Sequence, residues 1–175
     1  MQSRTPDSGW AGSANDSRLS MELASAVAGA RRRAARDGDR QVDTAHLLHT
    51  LLEADPEARA AFDGGPAQVA RLLGYLVQRT IGYGLRWSGT VEDSGALPVL
   101  PGDGVPGWSP AAAEAMREAH VRALARRSGP VRGTDLLAAL LRDRQCRAVD
   151  VLHRAGVDTA LLATRLAHAA CSECS

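Results

Sequence analysis

Apolar residues recur every three or four positions through most of the chain, which is the spacing of amphipathic helices. From Ser20 to Arg36 they are Leu23, Ala24, Val27, Ala30 and Ala34, with Gly38 as a stop just past the last turn. Thr44, with Asp43 before it, is placed to cap a second helix whose stripe is Leu47, Leu48, Leu51 and Leu52. Asp55–Pro56 predicts a short third helix to about Phe62, which Gly64, Gly65 and Pro66 break. A fourth runs from about Pro66 to Ile81 with Val69, Leu72, Leu73 and Leu76 inward. Residues 82–108 then lose the period; their seven Gly and three Pro mark a linker or a long surface loop. Helix five starts at Ser109–Pro110, carries Ala112, Ala113, Met116, Ala119, Ala123 and Leu124, and stops at Gly129–Pro130. Helix six follows Gly133–Thr134 with Leu136, Leu137, Leu140 and Leu141, and helix seven covers Gln145 to Ala155 with Val149 and Leu152. Asp158 caps an eighth, which holds Leu161, Leu162 and Leu166.

The two halves share this order. Slid by 89 positions, Ser20–Ala54 aligns without gaps on Ser109–Asp143, and eleven of the 35 pairs are identical. Chance in an Ala/Leu-rich chain gives about three. Ser20, Ala30, Ala34, Val42, Leu47, Leu48, Leu51 and Leu52 are among the matches, so they fall on caps and inward faces. The expected architecture is all-α: an eight-helix, pseudo-twofold bundle of two four-helix repeats. Repeat one spans 19–81 and repeat two 109–168, joined by 82–108 and flanked by a disordered tail at 1–18 and a short tail at 169–175.

Composition narrows the function. Aromatic residues are only 3% of the chain, against what a β-sandwich or barrel uses. The 21 basic residues are all Arg, and the absence of Lys excludes a P-loop NTPase. With 20 acidic residues the net charge is +1, which removes any whole-chain argument for nucleic acid or an anionic membrane. No apolar run reaches the length of a membrane span and no signal core opens the chain, so the expectation is cytoplasmic.

Candidate chemistry is sparse. His46 and His49 stand three apart on one helix, but no second ligand pair accompanies them; His46 reads as a packing and hydrogen-bonding residue and His49 as a surface one. His168, Cys171 and Cys174 have zinc-like spacing but lack a fourth ligand unless Cys146 folds in, so a frayed tail is expected. Arg31, Arg32, Arg33 and Arg36 form a basic run on helix one. They leave a DNA-binding or transcription-related role as the alternative, although a Leu-dominated helix two does not suit base reading. No hydrolase elbow, zinc-protease motif or phosphate loop is present, so no enzyme activity, cofactor or metal is expected.

The string from Gly38 to Leu52 resembles the Clp N-terminal repeat: Val42, Thr44, His46, Leu47, Leu48, Leu51 and Leu52 match it directly. In the second copy Val131, Leu136, Leu137, Leu140, Leu141 and the turn Ala155-Gly156-Val157-Asp158 match, and the resemblance covers about 19–168. It implies a domain of the kind found in front of ClpC- and ClpA-type AAA+ unfoldases, receiving substrates, adaptors and, in some members, phosphoarginine or cyclic peptides. Because the chain stops soon after the repeats, a stand-alone copy is expected. Such a copy would bind peptides or proteins of the Clp proteolysis system as adaptor, regulator or decoy. The resemblance also implies a Glu after the helix-two cap in a phosphoarginine site. Ala45 and Thr134 stand there instead, so the charge-assisted partner of a guanidinium is missing and that ligand is not expected. The expected binding seam is where each helix one begins, at Leu19, Ser20, Trp108 and Ser109, combining free helix-start N–H groups with apolar contact.

Overall fold

The computed structural model describes residues 18–80, 107–127 and 129–172. The expected N-terminal tail up to residue 17, most of the 82–108 segment, Ile81 and residues 173–175 lie outside them. Among the described residues there are eight helices: α1 Met21–Asp37, α2 Thr44–Ala54, α3 Pro56–Ala60, α4 Gly65–Thr80, α5 Pro110–Arg126, α6 Gly133–Leu140, α7 Arg147–Arg154 and α8 Thr159–Ser172. Two short strands, β1 Gln41–Val42 and β2 Gly107–Trp108, pair in parallel.

The caps explain most boundaries. Ser20 Oγ accepts from Leu23 N–H at 3.2 Å and Ser109 Oγ from Ala112 N–H at 3.1 Å, so the two first helices start identically. Asp43, not Thr44, is the cap of α2: its carboxylate accepts from His46 N–H at 2.8 Å, and Thr44 is the first helical residue. Asp55 caps α3 and Asp158 caps α8. α8 continues to Ser172, past the expected end at 168, because Ala167, Ala169 and Ala170 give it no stop.

α2 and α6 form the centre. Every residue from Thr44 to Leu52 is buried, as is every residue from Asp135 to Leu140, which is why their Leu pairs read as nearly continuous apolar runs. α1 packs on α2 and α5 on α6 within each repeat, while α2 also meets α7 and α6 meets α3 across the repeats. Each fully buried Leu contributes roughly 1.5–3 kcal/mol, so the core rests mainly on these two helices. On α5 the inward face is Ala112, Ala115, Ala119 and Ala123; Ala113 and Leu124 point to solvent, Leu124 being 69% exposed. A stripe of small residues leaves the face of α5 ambiguous to sequence periodicity.

Gly133 and Thr44 are equivalent positions, and their difference is structural. Thr44 Oγ1 accepts from Ala148 N–H at 3.1 Å, capping α7, whose own N-cap residue Cys146 makes no side-chain capping bond to that helix. At the matching joint Asp55 caps α3 itself, and a Cβ at Gly133 would collide with its carboxylate and with Leu51. The free donor of one repeat is thus met from the other repeat at one joint and locally at the second.

Candidate functional site

The repeats exchange their leading residues. Leu19 bridges in parallel to Val131 of repeat two; Ser20 N–H donates to Val131 O at 2.8 Å and Val131 N–H to Arg18 O at 2.7 Å. In the mirror arrangement Trp108 pairs with Val42 of repeat one, and Ser109 N–H donates to Val42 O at 2.9 Å. The offset of 89 carries Leu19 onto Trp108 and Val42 onto Val131, so these are one crossing made twice. The structure therefore brings Leu19 and Ser20 to Val131, and Trp108 and Ser109 to Val42. Gly107 and Trp108, read as linker in the sequence, form β2, because two residues of strand carry no period to detect.

These bonds reduce the helix-start donors. The cap residues' own N–H groups are engaged across the repeats, and Leu23 and Ala112 are met by the Ser hydroxyls. Of the first-turn donors, α1 keeps Met21 and Glu22 without a partner among the described residues, whereas α5 keeps only Ala111, since Pro110 has none. Ser109 is buried at 1% exposure, and Leu19, Ser20 and Trp108 are half-buried. Two residues that sequence reading did not place at the seam join it. Met21 is 84% exposed, the most exposed large apolar side chain among the described residues. The Arg31 guanidinium lies 5.4 Å from the Trp108 ring centroid, a cation–π distance that ties α1 to β2.

Of the Arg run, Arg33 bonds Glu53 through both carboxylate oxygens at 2.9 and 3.1 Å, and Arg36 Nε bonds Asp37 at 3.2 Å. With Arg31 on Trp108, only Arg32 has no bonding partner among the described residues. Thr134, at one of the two expected Glu positions, lines a groove of about 420 Å³ beside Glu57, Arg122, Arg126 and Arg165.

His46 and His49 are both buried, so the surface placement expected for His49 is corrected: α2 is enclosed on every side. His46 Nε2 lies 3.1 Å from Asp39 Oδ2, and its Nδ1 lies 2.9 Å from Asp43 Oδ1. Asp43 Oδ2 in turn accepts from Arg147 of repeat two at 2.7 Å. Burial opposes charge on His46, but Asp39 and Asp43 outweigh it and raise its pKa to about 9. Burial likewise pushes Asp43 up, and the bonds and charge of His46, with Arg147, bring it below the usual carboxylate value. The Asp43 N–H is 3.2 Å from Nδ1, so a neutral ring also finds a donor there. His49 goes the other way: burial and the Arg33 charge lower it to about 4. Cys146 is buried and its Sγ donates to Leu140 O at 3.5 Å; Cys171 is exposed.

This duplicated helical architecture has counterparts among solved structures. The N-terminal domain of Hsp104 from Candida albicans superposes with a TM-score of 0.63 at 14% identity, covering 85% of this chain and 88% of that one. The N-terminal domain of the caseinolytic-protease-associated chaperone ClpD from Arabidopsis thaliana gives 0.64 at 16% identity, covering 90% and 97%. The N-terminal domain of the ClpV1 ATPase of the E. coli EAEC Sci1 type VI secretion system gives 0.56 at 18%, covering 91% of each chain. This chain has the Clp N-terminal domain fold. No family model matches the sequence, and no curated protein matches it either. The Clp N-terminal fold is therefore legible in the backbone and in a few caps and Leu pairs more than in overall identity. Among the described residues no helix is long and apolar enough to cross a membrane.

Proposed function

We propose that this domain is a non-enzymatic receptor for peptides or protein segments in a Clp-type unfolding system, and that it captures them where the repeats exchange strands. The observation carrying the reading is the doubled crossing, with Met21 exposed beside Leu19 and with Trp108 held by Arg31 on the equivalent strand. Apolar side chains next to unbonded helix-start N–H groups suit an extended segment that offers a carbonyl or carboxylate and an apolar residue. Its partner is a Clp AAA+ unfoldase, or the substrates and adaptors such an unfoldase receives. Bound to the unfoldase it acts as adaptor or regulator; bound to substrates or to cyclic peptides it acts as a decoy.

The test is a reconstituted Clp protease degrading a labelled substrate, with the domain added in excess. A regulator changes turnover in proportion to its binding of the ATPase. A decoy slows turnover only of substrates it binds by itself, and relieves inhibition by a cyclic peptide. Trp108→Ala and Met21→Glu should each weaken the effect about tenfold or more, the loss expected of an apolar anchor. Unchanged titrations with both variants would rule out the seam as the binding surface.

A further inference from the structure

At the end of α1 the chain turns through Gly38, whose φ of 74° lies in the left-handed region, and this places Asp37 and Asp39 on either side of the turn facing α2. One carboxylate oxygen from each and one ring nitrogen of His46 lie within 4.8 Å of one another. Three features distinguish this from an ordinary surface cluster. The His46 ring is held from behind, with Nδ1 on the Asp43 carboxylate and Nε2 turned to Asp39, which is the carboxylate–histidine arrangement that orients a metal ligand. Asp43 is fixed by Arg147, so the orientation is set by the repeat interface and not by a mobile side chain. Asp37 Oδ2 is buried and accepts no hydrogen bond among the described residues, while its Oδ1 takes Arg36, so this oxygen keeps lone pairs to offer a metal. At the equivalent place in repeat two Arg126 stands where Asp37 stands and its guanidinium meets Asp135, so the donor cluster belongs to repeat one.

We propose that Asp37, Asp39 and His46 Nε2 form a binding site for a divalent cation of the zinc class, with Asp43 as its positioning residue. One imidazole and two carboxylates suit zinc better than calcium, which takes six or more oxygens. Zinc bonds of about 2.0–2.2 Å require donors about 3.3 Å apart, so the cluster contracts on binding. Asp39 makes that movement, being 53% exposed and next to the Gly38 turn. Three protein ligands leave a fourth position for water or for a donor from a bound partner.

The experiment uses the full chain with Cys171→Ser and Cys174→Ser, which removes the C-terminal thiols as competing ligands. ZnCl₂ is titrated by calorimetry, and the histidine ring nitrogens are followed by NMR. The expected result is one equivalent bound, with the His46 Nε2 resonance moving to a metal-bound value. Asp39→Asn and Asp37→Asn should each weaken binding tenfold or more while the metal-free variants keep the helical circular dichroism of the parent. Asp43→Asn should weaken it about 10–100-fold. The site is overturned by any of three results: no saturable binding, equal binding by Asp37→Asn and Asp39→Asn, or movement of His153 or His168 with His46 unmoved.

Discussion

Asp135 of repeat two holds the place that His46 holds in repeat one, and the two make the same helix-start contact with opposite charge. Each is the third residue of its helix and bonds the residue that caps it: His46 Nδ1 meets Asp43, and Asp135 Oδ2 accepts from Arg132 N–H at 2.9 Å. The reversal extends to the end of the preceding helix, where Asp37 faces His46 and Arg126 faces Asp135. Duplication has kept the geometry of the lock and exchanged its signs. Only the copy in repeat one contains a histidine.

Stability should therefore peak near pH 6.5, the ordinary histidine value, and fall on both sides for different reasons. His46 has a folded pKa of about 9, raised from 6.5, so its contribution is complete below 6.5 and is lost as pH rises through 9. Facing it are Asp37, Asp39 and Asp43 with Arg147 behind, and His49 one turn along α2. His49 has a folded pKa of about 4, lowered from 6.5, so its contribution is complete above 6.5 and is lost as pH falls through 4. Asp43 adds a further loss in stronger acid, below its unfolded value of 3.8. The alkaline limb amounts to about 3 kcal/mol. Melting temperatures from pH 4 to 10 in a chelating buffer should show both limbs; His46→Gln should flatten the alkaline one and His49→Gln the acid one.

Helix order, most caps and the duplication were legible in the sequence because each rests on local spacing: Leu47-Leu48-x-x-Leu51-Leu52, Ser109–Pro110, Asp55–Pro56. What escaped depends on residues brought together from far apart. The Asp43–Arg147 pair and the Thr44–Ala148 bond each span 104 residues. The strands are two residues long, too short for alternation to register. His49 was read as exposed because a helix buried on all faces has no polar side, and its burial is visible only once α1, α7 and α5 are packed around α2. At the seam, Leu19, Ser20, Trp108 and Ser109 were found through the repeat offset, whereas Met21 and Arg31 carry no signal in that comparison.

Arg127 ends α5 with φ of 59°, the left-handed value that Gly38 supplies at the equivalent end of α1. It is the only non-glycine residue with positive φ among the described residues. Arg127→Gly should stabilise the domain by about 0.5–1 kcal/mol, and Gly38→Ala should destabilise it by about 1 kcal/mol. Urea denaturation of the two variants against the parent checks the pair.

Installing the residue of repeat one at the joint of repeat two should fail in a specific way. Gly133→Thr drives a side chain into Asp55 and Leu51 and should cost about 2–3 kcal/mol. Combined with Asp55→Ala the loss should be less than the sum of the two, because the new hydroxyl can replace the cap as Thr44 does for α7. Thr44→Val, which strands the Ala148 N–H, should cost about 1–2 kcal/mol. A double-mutant cycle in urea reads all three.

The two helix-one caps should not be equal. Ser109 is fully buried, so Ser109→Ala leaves Ala112 N–H without water to replace the hydroxyl and should cost about 2 kcal/mol. Ser20 is half-buried, and Ser20→Ala should cost about 1 kcal/mol. Equal losses would mean that solvent reaches both helix starts alike.

Leu19 finishes an edge that belongs to repeat two, and Trp108 finishes one that belongs to repeat one. Neither half owns all of the pieces it needs. Supplied as two separate polypeptides, the halves would complement one another as an obligate heterodimer, each ordering only when its counterpart arrives. Two intact chains that traded halves would meet the same requirement with the contacts that fold a single copy and with no additional surface.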